Sequence, residues 1–131
     1  MTVQQTRPAS VLVMTVFVIA MISAVVIGML EINTEEIQLM QNHILAAQAF
    51  ATAEAGLNDA MAHLRMDHRW NAGFVDKPFS GGVYSVTVDG DTILATGITD
   101  RGYATALEAD VAVSHDGPPF AVEIGRLRVN R

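Results

Sequence analysis

Residues Val11 to Leu30, VLVMTVFVIAMISAVVIGML, run for twenty positions without a charge, a proline or a side-chain amide. At 1.5 Å of rise per residue, such a helix measures about 30 Å, the thickness of a bilayer's hydrocarbon core. Thr15 and Ser23 carry its only polar side-chain groups. Each can return its hydroxyl to a carbonyl one turn back, which lowers the cost of lying in lipid. A soluble protein could hold this run only as a core helix covered on all sides. A chain of 131 residues has too little material for that. The run therefore predicts a membrane-inserted helix.

The flanks orient it. Residues 1–10, MTVQQTRPAS, contain Arg7 and no acid, whereas Glu31, Glu35 and Glu36 follow the run. No lysine or arginine occurs between Arg7 and Arg65. A positive amino-terminal flank places the start of the helix in the cytoplasm and its end outside, in a single pass. A cleaved secretory signal begins similarly, but its apolar core is shorter and ends at a small-x-small site. Neither feature is found near Leu30.

The helix is expected to continue. From Glu31 to Leu64 there is no proline and one glycine, Gly56, among good helix formers. Ile37, Met40, Ile44, Ala47, Phe50, Ala53, Leu57, Met61 and Leu64 recur at spacings of three and four, an apolar stripe. Residues 31–65 thus read as an amphipathic extension of 11–30. The stripe is rich in alanine and lacks charged flanking pairs, unlike a coiled-coil seam.

About 100 residues remain after the apolar run, enough for one modest domain. The net charge of -6 and the lack of any basic run speak against nucleic-acid binding. With no cysteine, disulfides and thiolate chemistry are excluded. Residues 66–82 carry breakers, Trp70-Asn71-Ala72-Gly73 and Lys77-Pro78-Phe79-Ser80-Gly81-Gly82, and read as a connecting loop. Residues 83–131 carry strand signals. Val83 to Val88 is β-branched and aromatic, Asp89-Gly90-Asp91 offers a turn, and Thr92 to Gly97 returns. Tyr103 to Val113 alternates with period two. In the tail, Phe120, Val122 and Ile124 share one phase and Leu127 and Val129 the other, with Gly125 between them as a bulge candidate. Three or four antiparallel strands result, with one apolar face. Only the helix stripe can cover that face, so Leu57, Met61 and Leu64 are expected to meet Val86, Leu107 and Val111. The fold class is α+β.

Chemistry is sparsely encoded. Asp59, His63 and Asp67 stack at spacings of four, a geometry that suits helix-surface pairing better than a metal. Asp89, Asp91 and Asp100 carry calcium-type oxygens, yet hairpin turns use the same residues for backbone reasons. No nucleophile motif, phosphate-cradling loop or carboxylate pair stands out. Neither an enzyme nor a bound cofactor or metal is expected.

The run Ala51-Thr52-Ala53-Glu54-Ala55-Gly56-Leu57-Asn58-Asp59-Ala60, behind a short leader with arginine and an unbroken apolar helix, resembles the PilX-type minor pilins. It is also similar to the minor pseudopilins of type II secretion. Gly81-Gly82-Val83-Tyr84-Ser85-Val86-Thr87-Val88 is similar to the opening of that group's first strand. The resemblance covers residues 7–64 well and the rest loosely. It implies a filament subunit held in the inner membrane before assembly, then part of a periplasmic or cell-surface filament. Implied partners are other pilin or pseudopilin subunits, the assembly platform, prepilin peptidase and, at first, lipid. The leader lacks the usual glycine and would be cut between Ser10 and Val11, or as the second choice after Ala9, leaving Thr15 or Met14 where many pilins carry glutamate. Ala20, Ser23, Ala24 and Gly28 would permit close helix packing in the filament, and Glu31 and Glu35, with Glu36, would face neighbouring subunits. The competing reading is a single-pass anchor for an extracytoplasmic binding or sensing domain that never polymerises.

Overall fold

A computed structural model describes residues 6–130. One helix, α1 (Thr6–Met66), precedes five strands: β1 (Phe74–Phe79), β2 (Gly82–Asp89), β3 (Thr92–Thr99), β4 (Ala104–Val113) and β5 (Val122–Asn130). The strands form one antiparallel sheet in the order β1-β2-β3-β4-β5. This is the predicted α+β class. The chain divides into two compact units, one ending at Gln41 and the other Asn42–Arg131.

In the second unit the helix lies on the sheet. Ala49, Ala53, Leu57, Ala60 and Leu64 are buried at spacings of four, four, three and four. Most of that row joins one core with Tyr84, Val86, Ile93, Ala95, Leu107, Ala109 and Val111. The expected grouping of Leu57 and Leu64 with Val86, Leu107 and Val111 is therefore present, with Met61 at its rim. Small residues let the layers approach closely. A Cβ on Gly97 of β3 would lie 2.4 Å from the Ala53 nitrogen and 2.5 Å from the Ala49 oxygen. On Gly56 it would meet the Tyr84 ring at 2.9 Å. Gly56 is thus a close packing point.

The stripe's earlier part behaves differently. Ile37, Met40, Ile44 and Ala47 are exposed; in the second unit the covered row runs through Ala49 and Ala60, with Phe50 and Met61 partly buried beside it. Correction is also needed at 66–82, which contains β1. Pro78 argues against a strand by removing a ladder donor, yet an edge strand tolerates it, and Pro78 pairs with Val83 at the sheet's edge. Ser80 and Gly81, with φ of 39° and 80°, make the two-residue left-handed turn that joins β1 to β2.

The tail resolves its change of phase through a bulge. Arg126 faces Asp110 and Ile124 faces Val111, so Gly125 is the extra residue. Val122, Ile124, Leu127 and Val129 thereby stand opposite Val113, Val111, Ala109 and Leu107 on one face. The end of α1 is tied to the connection before β5, where the Phe120 N–H donates to the Arg65 carbonyl at 2.8 Å.

Candidate functional site: an uncovered apolar helix

Between Val11 and Leu30, fifteen large apolar side chains are 45–70% exposed. Burying such a side chain is worth about 1.5–3 kcal/mol. Leaving fifteen of them largely in water would cost on the order of 20 kcal/mol, more than the net stability of a typical domain. This surface needs a covering from outside the chain, and α1 is long and apolar enough to cross a membrane. The helix begins at Thr6, ahead of the predicted Val11, so Ser10 and Val11 both lie on helical backbone and are exposed. Pro8 falls in the first turn, where its missing N–H has no partner to lose.

The polar groups in this stretch are satisfied locally. The Thr15 hydroxyl donates to the Val11 carbonyl and that of Ser23 to the Ile19 carbonyl, both at 2.8 Å. Ala20, Ala24 and Gly28 recur every four residues along one face, with Ser23 beside them. A Cβ on Gly28 would meet nothing within 4 Å. Glu31, Glu35 and Glu36 are exposed, and among the described residues none has an ion-pair partner.

A second cluster lies on the sheet-bearing unit. The Asp59 carboxylate accepts hydrogen bonds from the Lys77 ammonium and from the Tyr84 hydroxyl at 2.6 Å. His63 lies 3.7 Å from the same carboxylate and stacks on Trp70, with ring centroids 4.9 Å apart. The Lys77 ammonium also sits 4.5 Å from the Phe74 ring centroid. Burial pushes the Asp59 pKa up, but the hydrogen bonds from Lys77 and Tyr84 and the nearby positive charge outweigh it and hold it below the usual value. The hydrogen bond to Asp59 raises Lys77. Burial, then the bond to Asp59, raises Tyr84. The cluster fastens edge strand β1 to the helix. It acts as a clamp between them.

The helix-face trio does not come together as a ligand set. Asp59 is committed to Lys77 and Tyr84, while Asp67 accepts from the Arg69 N–H in the turn after the helix. Asp89 and Asp91 flank the β2–β3 turn and Asp100 follows β3, at opposite ends of that strand. Among the described residues, no three metal-ligating side chains gather. Sequence reasoning missed Lys77 and Tyr84 as partners of Asp59. They lie 18 and 25 positions away, and only the pairing of β1 with β2 brings them together.

Comparison with protein-family models, curated proteins and solved structures gives no match to this chain. The fold and the uncovered helix define an α+β protein whose single amino-terminal helix is suited to a membrane.

Proposed function

We propose that the chain is a structural subunit of a type IV pilus-like or type II secretion pseudopilus filament, held in the inner membrane by its apolar helix before assembly. The observation that carries this reading is one continuous helix serving two surroundings. Its later part is covered by the chain's own sheet, whereas the large apolar side chains of Val11 to Leu30 are exposed among the described residues. Lipid solvates the uncovered part first. Neighbouring copies of the same helix then replace the lipid, so that apolar area moves between two dry surroundings. The face of Ala20, Ala24 and Gly28 supports close approach of such helices. The resemblance of residues 7–64 to minor pilins supports the same assignment.

The leader's fate tests it. Arg7 would be costly among apolar neighbours in a filament core. Intact-mass measurement on protein purified from cells with active prepilin peptidase should show a chain starting at Val11. A chain that retains Arg7 under those conditions would favour the membrane-anchored binding or sensing protein.

A further inference from the structure

A cleft of about 460 Å³ opens in the sheet-bearing unit, where the turn after α1 meets the β2–β3 turn and the end of β4. Its size lies within the range of small-molecule sites. Buried Leu64 and Val111 are part of its lining, and so is Trp70. The indole is braced by other rings, stacking on His63 at 4.9 Å and lying 5.2 Å from Phe74. An aromatic surface fixed in advance loses little freedom when a ligand arrives. Arg69, Asn71, Asp89, Asp91, His68 and His115 also line the cleft. Among the described residues, none of their side chains makes a hydrogen bond or an ion pair. Acids just outside the cleft are engaged instead: Asp59 by Lys77 and Tyr84, Asp67 by the Arg69 N–H, and Asp110 by Thr92.

This mixture selects against ions. A cation would meet the Arg69 guanidinium, and an anion the carboxylates of Asp89 and Asp91. Carboxylates only accept hydrogen bonds and a guanidinium only donates them, whereas an amide does both. A hydroxyl also does both, so a neutral ligand rich in hydroxyls can satisfy every one of these groups. A sugar ring adds an apolar C–H face suited to the electron-rich face of an indole. We infer that the cleft is a site for a neutral mono- or disaccharide, with Trp70 as its platform and Arg69, Asn71, Asp89 and Asp91 holding the hydroxyls. The inference goes beyond the subunit reading and holds whether or not the chain polymerises.

Trp70 is the sole tryptophan, so its emission reports on the cleft directly. The full chain, in a detergent without a sugar headgroup, is titrated with glucose, galactose, N-acetylglucosamine and their β-linked disaccharides. Ethylammonium, acetate and glycine serve as cation, anion and zwitterion. At least one sugar should change the emission saturably, and the ionic probes should not. Asp91→Ala and Asn71→Ala remove side chains that bond to nothing else among the described residues, so both variants should fold. Each should weaken the sugar about tenfold. Lack of saturation with every sugar, an ionic probe that binds as tightly as the best sugar, or an affinity unmoved by both substitutions would overturn the inference.

Discussion

Gly97→Ala tests the contact on which the helix–sheet packing turns. The added methyl would lie 2.4–2.5 Å from two backbone atoms of the helix and 2.9 Å from the Thr52 carbonyl carbon. Carbon contacts are comfortable at about 3.5–4.0 Å, so relief requires the helix to retreat by roughly 1 Å. None of these atoms belongs to a side chain that could rotate away. A retreat of that size forfeits a quarter to a half of each dispersion contact over Ile93 and Leu107, the largest fully buried side chains. Overpacking of this kind typically costs 1–3 kcal/mol, offset by about 0.4–1 kcal/mol from the stiffer unfolded chain. Because the obstruction is backbone, we expect a net loss near the upper end of that balance, about 2 kcal/mol. Urea unfolding of the full chain in micelles reads it through Trp70, the sole tryptophan, which stacks on His63. Gly90→Ala in the β2–β3 turn is the control. Its φ is 58° with nothing within 4 Å, so it should lose only about 1–2 kcal/mol, from backbone strain. A Gly97→Ala loss under about 0.5 kcal/mol would refute a close seat of the helix on β3.

Leu57→Ala, which empties a buried position in the same core, should cost about 2–5 kcal/mol in that unfolding assay. The Asp59 clamp gives stability a pH dependence. Because the folded-state pKa lies below the ordinary value of 3.8, its contribution is full above that pH and is lost as pH falls through the lower folded value. Lys77 and Tyr84, both raised, contribute fully below 10.5 and 10.0 and lose that contribution as pH rises through their folded values. Urea midpoints of Asp59→Asn across pH should lack the acid limb that the parent shows. Val18→Arg puts a charge in the apolar run at about 2.5–3.5 kcal/mol. It should leave the chain in the membrane fraction, bar it from sheared filaments, and leave Trp70 reporting a folded sheet-bearing unit.

How much of this was legible depends on the range of the interaction. The apolar run, its continuation and the hydroxyl returns of Thr15 and Ser23 are local, and the structure repeats them. The bulge at Gly125 was legible from the phase change between Ile124 and Leu127 alone. Strand β1 was not. Its Pro78 and Asp76 are strand breakers by propensity, and only an edge position makes them tolerable. The clamp at Asp59 was hidden because its partners come from other elements and the helix spacing suggested His63 and Asp67 instead. The covered helix row was misplaced by one residue at Phe50 and Met61, because alanine marks Ala49 and Ala60 only weakly as interior. Gly97 carried no signal in sequence. The need for a missing side chain there arises from the helix backbone above it.

In the proposed filament subunit, Val11 to Leu30 would exchange lipid for neighbouring copies of the same helix. Cells are sheared, the released filaments are separated from membranes, and both fractions are probed for this chain. The account predicts the chain in membranes and also in sheared filaments, the filament form lacking the residues before Val11. Recovery in membranes alone, with Arg7 retained and none in the filaments, would contradict it.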